Sequence, residues 1–382
     1  MHLYIYLIRH LAVLCFCISI GDGILDISWE LSQNLDRWYQ PWELCILNST
    51  STEDLMEIRK ECMTRHGVPF GGLKSFKCRA GGLHNGKHLC QSYPGNVQRD
   101  RIHYFQAVRG YDNPDRKPLH ELYELYSYTN TSMMFFGDSM MKQIFHAHSC
   151  ELEREGLMEN SSMIENVFVN EVYKTNLLPP SQVIFLKQFK FSASALKKFR
   201  LEITKLAEKS DRVVIVLNQG LHFNEIHKEE FSSTLEHAIK EHFSRMNDAF
   251  STKSFVFIYL ETTAQHFETA GVDTGYYSNK TTISRDKCIP VLESAKDWRN
   301  ELLHTIIDDF NNKGDQLPSL KLNIFPMRRL TRPLYDMHLY SSQYGVDCTH
   351  FCWTPMMWQP LWMFILDAVR CSANPIPSIT PA

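Results

Sequence analysis

The sequence predicts an α/β fold, a doubly wound parallel sheet with a Cys-rich N-terminal segment packed on it. Three observations carry that expectation. From about residue 130, short runs rich in Val, Ile and Phe alternate with stretches at helical spacing, the pattern of strands buried on both faces by crossover helices. The apolar runs are only about six to eight residues long, strand-like lengths. With 382 residues, 44% hydrophobic and 22% charged, the chain has the composition of a globular protein with a large core.

The predicted strands are 132–137 (SMMFFG), 182–189 (QVIFLKQF), 211–218 (DRVVIVLN), 253–260 (KSFVFIYL) and 320–325 (LKLNIF). Helical patterns fall between them at 139–154, 194–209, 227–250 and 290–312, the last with Pro290 near its start. A final helix over 354–370 would take Thr354 as its cap and Pro355 in its first turn. The basic cluster Lys197-Lys198-Phe199-Arg200 lies in one of these amphipathic stretches and reads as a solvated face.

The domain order expected is a 1–21 signal peptide or short membrane anchor, a Cys/Trp-rich segment 22–128, a catalytic domain 129–372 and a flexible tail 373–382. Arg9 and His10 precede the apolar stretch Leu11–Ile20, too short to span a bilayer but suited to an export signal. Ser19 and Gly21 suit cleavage near 21; retention as an anchor is the alternative, because Leu3 to Ile8 is also apolar. Residues 22–128 show little sustained periodicity and carry Trp38-Tyr39-Gln40-Pro41-Trp42 and Phe70-Gly71-Gly72-Leu73. Glycosylation sequons start at Asn48, Asn130, Asn160 and Asn279. Without Cys15 and Cys17, nine cysteines remain: Cys45, Cys62, Cys78, Cys90, Cys150, Cys288, Cys348, Cys352 and Cys371. An oxidising lumen would pair most of them, and the odd count leaves at least one thiol free or intermolecular. The net charge of −3 disfavours nucleic acid as a partner, since no basic excess exists to neutralise phosphates.

Two motifs more than two hundred residues apart carry the chemistry. Gly137-Asp138-Ser139 follows the first predicted strand directly, so Ser139 would open the next helix, where unpaired amides and the helix dipole stabilise developing negative charge. Gly137 permits the sharp turn, and Asp138 is an alternative helix cap. Near the C-terminus, Asp347-Cys348-Thr349-His350 places a carboxylate three residues before an imidazole, a spacing that lets a turn bring one to orient the other. Ser139 as nucleophile, His350 as base and Asp347 as orienter are the minimum set for acyl transfer through a serine ester. Cys348 and Cys352 bracket the histidine, and disulfides there would stiffen its loop. As zinc ligands with His350 they depart from the usual spacing, and no metal or tightly bound cofactor is expected. Two further strand ends offer candidates. Asn218 and the Gly220 amide, in Leu217–His222, could donate to an oxyanion, and His266 could meet substrate.

Together these blocks resemble the PC-esterase or trichome-birefringence-like family of SGNH/GDSL-type acyltransferases and esterases. The resemblance rests on Phe136-Gly137-Asp138-Ser139, Leu217-Asn218-Gln219-Gly220-Leu221-His222, Gln265-His266-Phe267-Glu268 and Asp347-Cys348-Thr349-His350-Phe351-Cys352, in that order. A fainter trace is Arg332–His338, and Phe351 stands where the family has tryptophan. The resemblance implies a three-layer, flavodoxin-like sheet and O-acetyl transfer from an acetyl donor, as co-substrate, onto glycan or polysaccharide hydroxyls in the Golgi lumen or on a secreted chain. A carbohydrate or lipid esterase with the same residues and a non-catalytic glycoprotein retaining the fold are the alternatives.

Overall fold

The computed structural model describes residues 118–154, 158–165, 172–177, 182–250, 252–269, 281–282, 288–289, 291, 295–312, 322–332, 334–335, 338–341, 345–351 and 358–371. The expected signal segment, the four cysteines between 45 and 90, the sequons at Asn48 and Asn279, Cys352 and the 373–382 tail lie outside them.

All five predicted strands form, and they are mutually parallel. They are β1 (Thr131–Gly137), β4 (Gln182–Lys187), β5 (Arg212–Leu217), β6 (Ser254–Leu260) and β9 (Leu322–Phe325), side by side in the order β4-β1-β5-β6-β9. Two strands that no apolar run predicts, β2 (Met158–Glu165) and β3 (Val172–Leu177), extend the sheet beyond β4 through antiparallel pairings. The whole is therefore a mixed seven-stranded sheet, and the short strands β7 (Glu268–Thr269) and β8 (Thr281–Thr282) pair apart from it. The polar sequences of β2 and β3, MENSSMIE and VYKTNL, lack the apolar run that marks the buried parallel strands. Only β2 is at the edge, β3 lying between it and β4, and strands paired antiparallel need not carry a continuous apolar run.

Helices cover both faces, and the period-2 alternation of the strands sorts their side chains between two cores. Met133 and Phe135 of β1 point to one face, where α1 (Pro118–Thr129), α2 (Ser139–Arg154) and the C-terminal helix pack. Met134 and Phe136 point to the other, against α3 (Ala193–Lys209), α4 (Lys228–Ala238) and α6 (Trp298–Asn312). In α3, Leu196, Phe199, Ile203 and Leu206 are buried at helical spacing while Lys197 and Arg200 are exposed, so the basic cluster is a solvated face as expected. The stretch read as one helix over 227–250 is a 3-10 turn (Glu225–His227), α4, a π-turn (Ile239–Phe243) and α5 (Ser244–Ala249).

Three boundaries differ from the sequence reading. Pro118–Thr129, assigned to the loop-rich segment, is helical and buries Leu119, Leu122 and Tyr126 in the core shared with β1. The helix expected from 290 starts at Trp298, because Asp297 caps it, its Oδ1 accepting the Arg299 N–H at 3.0 Å. The last helix, α8, begins at Gln359, after α7 (Met327–Thr331). Trp358 precedes it as a turn residue, so Thr354 is not its cap.

Candidate active site

In open α/β sheets ligands bind at the carboxyl ends of the strands, where the strand order reverses. Here the order reverses between β1 and β5, and the candidate site stands there. β1 ends at Gly137, whose absent Cβ would lie 2.6 Å from the carbonyl oxygen of Asn218. Only glycine allows β1 to come this close to the end of β5. Asp138, fully buried, then caps α2: its Oδ1 accepts the Met140 N–H at 2.9 Å. Ser139 is thus the first helical residue, and its N–H has no protein partner among the described residues.

The imidazole arrives from the opposite end of the chain. β10 (His338–Ser341) and β11 (Gly345–Phe351) form an antiparallel ribbon whose register jumps, Leu339 pairing with Asp347 but His338 with Phe351. Residues 348–350 bulge out as a result. Asp347 organises the bulge with one oxygen, Oδ1 accepting the N–H groups of Thr349 (3.0 Å) and His350 (3.2 Å). Its other oxygen, Oδ2, accepts the His350 Nδ1–H at 2.7 Å. That fixes the tautomer, leaving Nε2 as the acceptor for the Ser139 hydroxyl, also at 2.7 Å. The structure therefore brings together Ser139, His350 and Asp347 over a separation of 211 residues. Burial pushes the Asp347 carboxyl up, but the His350 hydrogen bond and charge, with the two backbone N–H groups, outweigh it and hold the pKa at about 2.

Three further residues hold this geometry, of which Gln143 lies outside the sequence motifs. Gln143, one turn after Ser139 on α2, bonds Phe351 both ways, its Nε2 donating to the Phe351 carbonyl and its Oε1 accepting the Phe351 N–H. The i, i+4 spacing from Ser139 was a signal available in the sequence. Gln265 Nε2 donates to Thr349 Oγ1 at 3.3 Å. Cys348 pairs with Cys288 rather than with a neighbour in its own loop. The link closes a separation of 60 residues, a length that restricts the unfolded chain by about 4 kcal/mol in the chain-entropy account. With the Cys348 sulfur in a disulfide and both His350 nitrogens engaged, the zinc alternative loses two of its three ligands.

The remaining candidates divide. Gly220 adopts φ +147°, and a Cβ there would meet Thr262 Oγ1 at 2.2 Å. Its carbonyl accepts the Arg299 Nη1–H at 3.2 Å, while Arg299 is itself clamped by Asp297 at 3.0 and 3.2 Å. Arg299 and Asp297 are both buried, and the planar bidentate pair is a rigid anchor. Tyr259 Oη donates to the Gln219 carbonyl at 3.3 Å, so the whole 219–220 turn is fixed. The Gly220 N–H has no protein partner among the described residues.

Asn218 departs from expectation. Its Nδ2 protons go to the carbonyls of Leu260 (3.2 Å) and Glu261 (3.4 Å), so its side chain ties β5 to β6 instead of pointing a donor at Ser139. His266 departs further. It is fully buried, with Nε2 on the Arg332 carbonyl (2.8 Å) and Nδ1 on His338 (2.6 Å), which removes it from substrate. The side chain of Asn130 stands outside the site, holding the αL turn before β1 with φ 45° and bonds from Nδ2 to Lys209 O and Asp211 Oδ2. Asn160 lies in β2, Cys150 in α2, and Cys371 ends α8.

Two titratable side chains stand near the serine, and burial disfavours the charged form of each. Burial raises the Asp138 carboxyl above its ordinary pKa against the pull of His222, the Met140 N–H and His350. Burial likewise lowers the pKa of His222, whose ring meets Phe189 edge-on at 4.6 Å.

Gly220→Ala is expected to lower stability by about 1–3 kcal/mol, the range for strained backbone and overpacking. Thermal melts would show it, and adding Thr262→Ala should recover the steric share but not the φ share. A single mutant as stable as the wild type would contradict the close approach.

Among the described residues no helix is long and apolar enough to cross a membrane. No protein-family model and no curated protein matches this chain.

Proposed function

We propose that this protein is a serine-dependent O-acetyltransferase of the SGNH type, moving an acetyl group through an acyl-Ser139 intermediate onto a glycan hydroxyl in the secretory pathway. The observation that carries the reading is the hydrogen-bonded chain Ser139 Oγ–His350 Nε2, His350 Nδ1–Asp347 Oδ2, with both links at 2.7 Å. The order β4-β1-β5-β6-β9, with Ser139 following the first of the parallel strands, supports the family resemblance.

In the first half-reaction the Ser139 hydroxyl passes its proton to His350 Nε2 as Oγ forms a bond to the donor's acetyl carbonyl carbon. The carbonyl oxygen takes the displaced electron pair, and the unpaired N–H groups of Ser139 and Gly220 are the donors available to hold it. His350 then returns the proton to the leaving group as the donor's ester bond breaks. In the second half a sugar hydroxyl gives its proton to His350 Nε2 and attacks the acyl-serine, and collapse restores Ser139 with its proton. Asp347 stabilises the imidazolium in both halves.

A second reading, a secreted carbohydrate or lipid esterase, draws on one observation. The side chains of His350 and Asp347 are 27% and 43% exposed, which gives water a path to the same intermediate.

Mass spectrometry of single turnovers with a small activated acetyl ester separates the readings. An adduct on Ser139 that discharges onto added oligosaccharide supports transfer. Rapid discharge to acetate alone would replace the proposal with the esterase. A folded, disulfide-bonded protein that forms no adduct would remove both.

A further inference from the structure

A fully buried pair of histidines stands directly behind the candidate base. His266 Nε2 lies 2.8 Å from the Arg332 carbonyl, and His338 Nδ1 lies 3.0 Å from the carbonyl of His350. Between them His266 Nδ1 and His338 Nε2 are 2.6 Å apart. Both rings are 0% exposed. A carbonyl oxygen can only accept, so each outer nitrogen must carry a proton. The inner contact is a hydrogen bond only if a third proton lies between the two inner nitrogens. Two neutral imidazoles bring two ring protons, and this chain of bonds uses three.

We infer that His266 and His338 share one extra proton as an imidazole–imidazolium pair, and that the pair positions His350 through its main-chain carbonyl. The role rests on the acyl-serine reading above; the protonation state does not. The surroundings suit a buried cation. Phe351 stacks on His338 at 4.4 Å with 29° between planes, presenting the electron-rich face of its ring. Carbonyl dipoles close both ends of the pair. The backbone of His266 ties the same loop, its N–H donating to the Cys348 carbonyl at 3.0 Å and its carbonyl accepting the Ile289 N–H at 2.9 Å. The pair therefore sits between both sides of the Cys288–Cys348 link and the bulge carrying His350. A charge-assisted donor holds a carbonyl more tightly than a neutral one, and the carbonyl it holds belongs to the residue whose ring must stay in line with Ser139. His266 and His338 are positioning residues, remote from the reacting atoms.

The test uses the full chain, folded, disulfide-bonded and labelled with nitrogen-15 histidine. At neutral pH, NMR should show one strongly deshielded, exchange-protected ring N–H that is missing from His338→Asn and from His266→Asn alike. Its absence from the wild type, or its survival in either variant, would overturn the shared proton. For the positioning role, His338→Phe keeps the stack on Phe351 but has no donor. It should lower kcat for acetyl-ester turnover roughly 10²-fold with KM little changed, the cost of a small misplacement of a reacting group. His338→Asn restores an N–H near the Nδ1 position and should recover part of that loss. An Asn variant no better than Phe would overturn the positioning role. The rate of Ser139 labelling by a fluorophosphonate, read on the wild type, separates the two claims. No labelling removes the acyl-serine reading, and the positioning role with it, while the ring N–H signal still decides the shared proton.

Discussion

His350→Ala should lower acetyl-ester turnover by about 10²–10⁴-fold, the span that a positioned base supplies, and Ser139→Ala should abolish the acyl-enzyme altogether. Both side chains lie at the surface of the site rather than in either core, so the variants should melt near the wild-type temperature. Asp347→Asn should also be severe, for two reasons. It removes the charge that stabilises the imidazolium, and an amide nitrogen facing His350 Nδ1 would favour the wrong tautomer. Asn218→Ala should behave differently. Its Nδ2 is spent on the Leu260 and Glu261 carbonyls, so its loss should appear chiefly as lower stability, by about 1–3 kcal/mol for buried acceptors left unpaired. Steady-state kinetics beside thermal melts distinguish the two patterns, and near-normal turnover in His350→Ala would sink the triad.

Acid should destabilise the protein through a group far from the site. His148 lies on α2, fully buried between Phe135 and Trp362, with ring centroids 5.4 and 5.1 Å away. Neither ring nitrogen has a hydrogen-bond partner among the described residues. Burial alone lowers its pKa from 6.5 to about 3, because the charged form would sit in an apolar core. The folded state is therefore the weaker proton binder. Between pH 6.5 and about 3 the unfolded chain takes up the proton and the folded chain resists it, so stability rises with pH across that window. What His148 contributes is intact above the unfolded pKa and is lost as pH falls towards the folded one, by on the order of 4 kcal/mol. His148→Met fills similar space without a titrating group. At pH 7 it should be neutral or stabilising, since two unsatisfied buried nitrogens disappear. Urea midpoints measured against pH should diverge below pH 6, with the variant the more acid-resistant. Parallel curves would show that His148 does not titrate on unfolding.

What could be read in the chain beforehand is what short-range physics writes there. The runs SMMFFG, DRVVIVLN and KSFVFIYL mark strands because β-branched and aromatic side chains fit a pleat buried on both faces. Ser139 is legible because a glycine and a helix-capping aspartate stand immediately before it. Asp347 and His350 are legible because three residues of bulged backbone suffice to bring the carboxylate onto the imidazole. The antiparallel strands β2 and β3 escaped because their polar sequences carry no periodic signal. The starts of α6 and α8 were misplaced because the proline signals at 290 and 355 are local and weak, while Asp297 is fixed as a cap partly by Arg299 and Arg328, which it binds from buried positions.

By itself, then, the sequence determined the parallel strands, the helix that Ser139 opens and the turn that joins Asp347 to His350. The tertiary structure decided which partners meet across long separations. It joined Ser139 to His350, Gln143 to Phe351, Cys288 to Cys348 and His266 to His338, and it committed Asn218 to the sheet. The physical reason is that periodicity and capping act within one or two turns of chain. Each of these pairings is selected only when the two cores close on the sheet and buried polar groups must find a partner.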